Sequence, residues 1–555
     1  MDAYTYDELP ADCFRYLILL PGANSDPLRC SLHTSNINEA RYESLSYVWG
    51  TDVRDHEIMC DNSILKITSN LHQVLQRVRL TDAPRNIWAD SICINQEDLQ
   101  EKSRQVTIMG QIYCNAERVM ICMGADREEH GPNVLALLQD IREMINAGLV
   151  HATEGSKQKS LVFRNRESAM WNTFPYSDSK APLLNDSRWA SINALVEQEW
   201  FHRGWVVREA GLARQALVLW GQTEFLWNDL MQALVWRHRR AVTSITIQAE
   251  DRFRSHLEAY EALHKDAIRI FYHKSSWKAC SLLNYLHFAR ALRLKDPRDR
   301  IYAFLDLAED SVRELCIIPN YADPPMKVYR DFAIQYVYTT GKVDILHYVK
   351  HDDSLSESTL MSWVPDWSKE EKDVTGFVAA DENNPPLLSR TKQTSNPKLL
   401  NGTTLEVDGV ILGSVQWTSN VLQSKTTTLV VLFELWTAVY KSISESPYPT
   451  THLLEQLFDT LAALSFVGEI HAWYTFRKKY INIFTVLHTQ MQETGKIEVD
   501  ADEVATLEST TFHGFISSAT SGKRVIVTER GYIGIRAQIS RDINEDKTIP
   551  YQVSG

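Results

Sequence analysis

Arg203-Gly204-Trp205-Val206-Val207-Arg208-Glu209, followed by Ala216-Leu217-Val218-Leu219-Trp220, decides how this chain folds. The first segment reads as the opening of a helix. Trp205 and Glu209 are four residues apart, which makes them neighbours about one turn apart on one helix face. The second segment is an unbroken apolar run, as in a strand buried on both faces. Glu209 is therefore expected on a helix packed against a sheet, beside an indole that keeps water away. Such a carboxylate suits catalysis. It also suits a plainer role, complementing the dipole at the first turn of a helix.

Upstream, the apolar pattern alternates between periods. Phe14 to Gly22 reads as a strand stopped by Pro-Gly, with Leu28 to His33 as its partner. Tyr42 to Gly50 reads as a short strand ending in an aromatic loop. His56 to Thr68 reads as a hairpin turning at Asp61-Asn62. Ser69 is the expected cap of a helix that buries Leu71, Val74, Leu75 and Val78. Asn86 to Asp90 is a strand ending in a carboxylate, and Ser91 to Gln96 a loop. Asp98 and Glu101 resemble a capping box before a helix burying Val106, Met109, Ile112 and Tyr113. Arg118 to Gly124 is another buried strand. Pro132 starts a helix with Val134, Leu137, Leu138 and Ile141 inward. Strand and helix in alternation predict an α/β domain with a mainly parallel sheet.

Downstream the pattern changes. About 150–186 reads as an insertion rich in Ser, Lys, Asn and Pro. After Gly221 the chain reads as helical to about Leu307, with Asp296-Pro-Arg-Asp-Arg300 as a turn before an Ile301–Leu307 helix. Met326 to Tyr338 is a helix, Leu360 to Trp367 a Pro-broken aromatic segment, and Asp366 to Asn401 a polar excursion. Thr404 to Trp417 alternates like a strand. Leu429 to Lys441 and His452 to Leu464 are expected helices, and Arg524 to Ile535 a hairpin turning at Glu529 to Gly531. The expected domains are 1–225, with core motifs at 42–210, then a mostly helical 226–400 and an α+β region at 401–555.

Composition excludes several classes. The net charge of -13 argues against an extended nucleic-acid surface. Leu429 to Tyr440 is too short to span a bilayer and carries Glu434, so no membrane span is expected. The N-terminus has no secretory pattern. The eight cysteines are scattered without a CxxC pair, which fits reduced thiols in a cytoplasmic protein rather than a disulfide framework or a zinc ribbon. His347 and His351 are four apart but lack a third ligand, so no metal is expected. Arg237-His238-Arg239-Arg240 reads as a solvated helix face. No GxGxxG, P-loop or GxSxG motif occurs, so kinase, P-loop NTPase and α/β-hydrolase readings lack support.

Parallel α/β sheets place their sites beyond the carboxyl ends of the strands. Three polar groups of residues fall there: Ser46, Tyr47, Trp49 and Gly50; Asp90 and Ser91 with Asn95 and Gln96; and Arg203, Trp205, Arg208 and Glu209. They offer flat indoles for a base, hydroxyls and amides for a ribose, and a carboxylate. A carboxylate beside a ribose stabilises an oxocarbenium-like centre during N-glycosidic cleavage. The plainer account makes Trp49, Trp88 and Trp205 core residues and Asp90 a turn group.

Tyr42-x-Ser44-Leu45-Ser46-Tyr47-x-Trp49-Gly50, Ile87-Trp88-x-Asp90-Ser91-Ile92-Cys93-Ile94-Asn95-Gln96, Gln105-x3-Met109-x2-Ile112-Tyr113-x2-Ala116 and Arg203-Gly204-Trp205-x3-Glu209 resemble, in order, the motifs of the fungal heterokaryon incompatibility (HET) domain. Asp296 to Ala303, Ser362 to Trp367 and Val527 to Gly534 resemble the region downstream of it. The resemblance implies a role in non-self recognition, with regulated cell death when unlike fungal cells fuse. HET domains are in turn distantly similar to TIR domains, which are flavodoxin-like and often cleave NAD with a glutamate in a Trp-Cys-x-x-Glu pattern. By that analogy Glu209 is the catalytic residue, NAD the substrate, and no further cofactor is required. Implied partners are other proteins of an incompatibility pathway, or further copies of the chain on activation. Two departures stand out. Residue 208 is Arg where Gln is common, and the sequence after Gly534 lacks the usual Gly-Asp strand and Pro-Leu-Arg ending. Two other functions fit the same residues: a signalling module without chemistry, and a HET-fold enzyme for another small molecule.

Overall fold

A computed structural model describes residues 2–158, 181–240, 281–307, 317–349, 360–368, 397–407, 413–461, 470–494 and 522–537, less a few short gaps, with scattered residues between. The chain forms two compact units, Met1–Val328 with Trp367–Val374, and Tyr329–Asp366 with Thr375–Gly555.

The first unit is built on a nine-stranded sheet. Its strands are β1 (Cys13–Leu19), β2 (Arg29–Asn36), β3 (Glu43–Tyr47), β4 (His56–Cys60), β5 (Ser63–Ile67), β6 (Arg85–Trp88), β7 (Val119–Gly124), β8 (Ala216–Trp220) and β9 (Thr223–Leu226). In space they run β5-β4-β2-β1-β6-β3-β7-β8-β9. The four central strands β6, β3, β7 and β8 are mutually parallel. In chain order they are second, first, third and fourth, the order that opens the flavodoxin-like sheet. At the margins β1 lies antiparallel to β6 and β2, and β9 folds back antiparallel on β8. This is the expected α/β fold, with its parallel strands at the centre. β7 buries Val119 to Met123 without a break, as a strand covered on both faces must.

The helices follow the apolar periodicity. They are α1 (Ser69–Val78), α2 (Asp90–Cys93), α3 (Leu99–Asn115), α4 (Gly131–Gln158), α5 (Trp189–Val196), α6 (Trp205–Gly211) and α7 (Trp227–Arg240). The hairpin turn at Asp61-Asn62 has φ of 49° and 66°, the left-handed pair that Asp and Asn tolerate.

Local chemistry corrects several expectations. The α1 cap is Thr68, whose hydroxyl accepts from Leu71 N–H, one residue before Ser69. Ser91 to Gln96 is no plain loop, because Asp90 to Cys93 makes a helical turn. Asp98 does cap α3 through Gln100 and Glu101 N–H, but Glu101 does not return the bond. Its carboxylate is taken by Arg15 instead. β9 interrupts the expected helical stretch after Gly221. Residues 296–307 form two short helical segments, Asp299–Tyr302 and Leu305–Leu307, with Asp299 and Arg300 inside the first. Arg237 is buried with its guanidinium 4.0 Å over the Trp189 ring, so this part of the basic cluster is not solvated. α4 continues past the start of the expected insertion to Gln158. The remainder of that insertion to 180, apart from 174, lies outside the described residues, as do His351, most of the polar excursion and residues 538–555.

In the second unit, Val415–Thr418, Lys523–Thr528 and Ile533–Ala537 form an antiparallel sheet. Thr404 to Trp417 is therefore not one strand, since Thr404–Glu406 pairs with Lys398–Leu400 elsewhere. Helices Leu429–Ser442, Leu453–Leu461 and Ile470–Thr494 share a core of Phe433, Trp436, Phe458, Tyr480 and Phe484. Among the described residues, no helix is long and apolar enough to cross a membrane and no cluster of metal-ligand side chains occurs.

Arg15 and Glu101 tie β1 to α3 through bonds of 2.6 and 3.0 Å, and both side chains are buried. Arg15→Ala leaves a buried carboxylate uncompensated and is expected to cost about 3–5 kcal/mol in urea unfolding, with a double Arg15→Ala, Glu101→Gln variant losing less. A loss within about 1 kcal/mol, the scale of a surface pair, contradicts this.

Candidate functional site

The carboxyl end of β3 and the helix α6 meet at one hydrogen bond. Ser46 Oγ donates to Glu209 Oε2 at 2.5 Å. Ser46 Oγ accepts in turn from Trp200 Nε1 at 2.8 Å. All three side chains are buried, Glu209 to 2% exposure. Strand alternation explains the reach, since Ser44 and Ser46 lie on one face of β3. An apolar residue at position 46 would remove the donor. Among the described residues, no hydrogen bond reaches the second oxygen of Glu209.

A second acid lies close by. Asp90 starts α2 just past the end of β6. Its carboxylate accepts from Trp49 Nε1 at 2.9 and 3.1 Å and from Ser91 N–H at 2.8 Å. Tyr47 OH and Ser91 Oγ share a bond of 2.6 Å. The Arg203 guanidinium donates to the Tyr47 carbonyl. Trp49, Asp90, Ser91 and Arg203 are each half-buried, so solvent reaches this side of the cluster while Glu209 lies within.

The electrostatics follow from this placement. Burial pushes the Glu209 carboxyl up to about 7, with the Asp90 charge adding to the rise. The Arg203 cation, the Ser46 hydrogen bond and the Arg208 cation oppose it. Asp90 is also raised by burial, and Arg203, Trp49, the Ser91 amide and Tyr47 hold it back. Arg203 thus acts on both acids. Two carboxyls in unlike settings beside one cation can divide the roles of proton holder and anion.

Of the residues expected from sequence, Ser46, Tyr47, Trp49, Asp90, Ser91, Arg203 and Glu209 gather here. Gly50 sits beside them at φ 75°, where a Cβ would lie 2.8 Å from the Asn70 amide that holds the Val48 carbonyl. Gln96 braces the Asp90 carbonyl at 2.9 Å. Asn95 serves its own loop, its N–H donating to Glu101 and its side chain accepting from Glu97 N–H. Trp205 and Arg208 turn elsewhere. The Trp205 indole N–H donates to Asp299 at 3.0 Å, and Arg208 pairs with Asp306. Trp200 was absent from the expected set. Its place three residues before Arg203 was the available signal, and a buried indole needs an acceptor.

One acid just past β6 and another carried by α6 meet at the carboxyl end of β3, which defines an α/β domain with a polar site at the carboxyl ends of its parallel strands. Residues 42–209 match the family model described as heterokaryon incompatibility protein (HET), and they constitute a HET domain. Glu209 is the last residue of the match. The Neurospora crassa protein named heterokaryon incompatibility protein 6, OR allele, is 27% identical over 414 residues, which are 66% of this chain and 60% of that protein. The chain therefore spans less than two thirds of that relative's length. No solved structure matches the chain significantly.

Glu209 lowers stability as it ionises. Its folded value, about 7, lies above its ordinary 4.5, so the folded state holds a proton that the unfolded chain has lost. The stability this group contributes is complete below pH 4.5 and disappears as pH rises through about 7. Glu209→Gln removes that dependence. The variant's unfolding free energy relative to wild type is expected to climb by about 3 kcal/mol across that window. A difference that stays flat with pH contradicts the assignment.

Proposed function

We propose that this chain acts in fungal non-self recognition as a cell-death effector, and that Glu209 is a catalytic carboxylate cleaving the N-glycosidic bond of NAD. The match of residues 42–209 to the HET family and the name of the Neurospora crassa relative support the first part. One observation carries the second: a buried carboxylate with one oxygen fixed by Ser46, the other without a hydrogen bond among the described residues, and a cation, Arg203, beside it. The flavodoxin-like order of the parallel strands supports a distant likeness to TIR domains.

In this reaction the bond between nicotinamide nitrogen and ribose C1′ breaks, and the electron pair leaves with nicotinamide. Water adds to C1′ and releases a proton, giving ADP-ribose. The ionised Glu209 stabilises the positive charge that builds on the ribose or orients its 2′-hydroxyl. Trp49 offers its ring and Ser91 its hydroxyl to the dinucleotide, while Asp90 and Arg203 set the local field. NAD is substrate, and the reaction requires no resident cofactor. The proposed setting is the cytoplasm, with partners from an incompatibility pathway or further copies of the chain as the trigger.

A second reading has support of its own. Glu209 is almost closed off, and both oxygens of Asp90 are held by Trp49, as in a cluster that stabilises a signalling module without chemistry. An assay of NAD loss at high protein concentration separates the two. The catalytic reading expects turnover that rises with pH through about 7, as Glu209 ionises. Glu209→Gln is expected to lose about two to three orders of magnitude in kcat. Folded, clustered wild type that leaves NAD intact contradicts the enzymatic reading.

A further inference from the structure

The Asp296-Pro-Arg-Asp-Arg300 motif lies well past the HET match, and the reaction above gives it no task. The structure sets its neighbourhood against α6 at three points. Before the helix, Arg293 N–H donates to the His202 carbonyl at 2.6 Å and Gly204 N–H donates to the Arg293 carbonyl at 3.0 Å. In the first turn, Trp205 Nε1 donates to Asp299 Oδ2 at 3.0 Å. One turn on, Arg208 pairs with Asp306. These grips fall at 202–204, 205 and 208, the run that ends on Glu209.

The group that grips Trp205 is itself held. Asp299 is buried, and its other oxygen accepts from Tyr321 OH at 2.5 Å. Each carboxylate oxygen thus has its own donor, so the group is fixed in rotation. Tyr321 N–H donates to Ser103 of α3 at 3.1 Å. The Tyr321 ring lies 4.3 Å from Lys102 Nζ and 5.2 Å from the Arg298 guanidinium, which Asp296 holds at 2.7 Å. Beside Asp306 stands Gly110 of α3, where a Cβ would overlap the Asp306 carboxylate and crowd Arg208. Glycine is a poor residue for a helix interior, and here its missing side chain makes room for the ion pair.

We propose that the segment 293–306 is a positioning clamp for Glu209, acting through Asp299 on Trp205 and through Asp306 on Arg208. The proposal rests on the reading of Glu209 as the reacting group. Asp299 and Asp306 are positioning residues, since neither touches the Ser46–Glu209 pair. A helix of seven residues has few internal hydrogen bonds, so its outside anchors decide where it lies. A shift of about 1 Å in a reacting group costs up to a hundredfold in rate.

Two variants loosen the clamp at different points. Asp299→Asn keeps an oxygen for only one of the two donors. Gly110→Ala drives Asp306 from Arg208. In the full chain, each is expected to lower kcat for NAD about tenfold to a hundredfold while KM stays within about twofold. A carbon-13 titration of the Glu209 carboxyl, assigned by its loss in Glu209→Gln, is expected to shift its midpoint in both. The charges that act on Glu209, those of Arg203, Asp90 and Arg208, stay in both variants, and Gly110→Ala alters no charge at all, so a shift common to both reports geometry. Leu138→Ala, a core change in α4, is the control for general destabilisation and leaves the midpoint in place. If wild type does not consume NAD, the enzymatic reading fails and the titration alone judges the clamp. Folded Asp299→Asn and Gly110→Ala proteins with the wild-type midpoint overturn it.

Discussion

A hydroxyl on a strand and a carboxylate on a helix, 163 residues apart in sequence, are joined by one hydrogen bond inside the first unit. The Ser46–Glu209 bond is the constraint around which the site is arranged. Burial makes an ionised glutamate costly there. The Ser46 donor and the Arg203 cation each favour the anion, and the Asp90 charge opposes it. Burial outweighs the groups that favour the anion, and the carboxyl is pushed up to about 7. Trp200 completes the arrangement by donating to Ser46, which turns the serine proton toward the acid.

Sheet topology explains why the acids meet. Strand order reverses at β3, with β6 on one side and β7 on the other. The chain leaves β3 and β6 at neighbouring positions, so Tyr47, Trp49, Asp90 and Ser91 converge although two strands and a helix separate them in sequence. β1 and β2 extend the parallel core on one margin and β9 caps the other. Around α6, polar groups perform two tasks. Ser46 and Arg203 act on the acid, whereas Asp299 and Asp306 hold the helix that carries it.

Much of this was legible in the residues. Apolar patterns located eight of the nine strands of the sheet, most plainly β3 and β7, which bury nearly every residue, and the four-residue spacing of Trp205 and Glu209 located α6. β9 escaped, since Thr223 and Glu224 make it polar and it is paired on one edge only. Helix Ile470–Thr494 escaped as well. Its Ile481, Ile483, Thr485 and Val486 have the branched composition of a strand, and tertiary packing overrode that preference. At the site, Ser46 and Asp90 stood out as polar residues at strand ends, and Glu209 by its four-residue spacing from Trp205 on a helix. The turning of Trp205 and Arg208 toward residues 299 and 306 was not, since nothing local in sequence encodes a partner 94 or 98 residues away.

The most direct test of the central claim is a crystal structure of the Glu209→Gln protein grown with NAD. The account predicts intact dinucleotide at the carboxyl end of β3, with the nicotinamide-bearing ribose carbon against residue 209 and Ser46 still bonded to that side chain. Dinucleotide bound elsewhere, or none at saturating NAD in a correctly folded crystal, would contradict it.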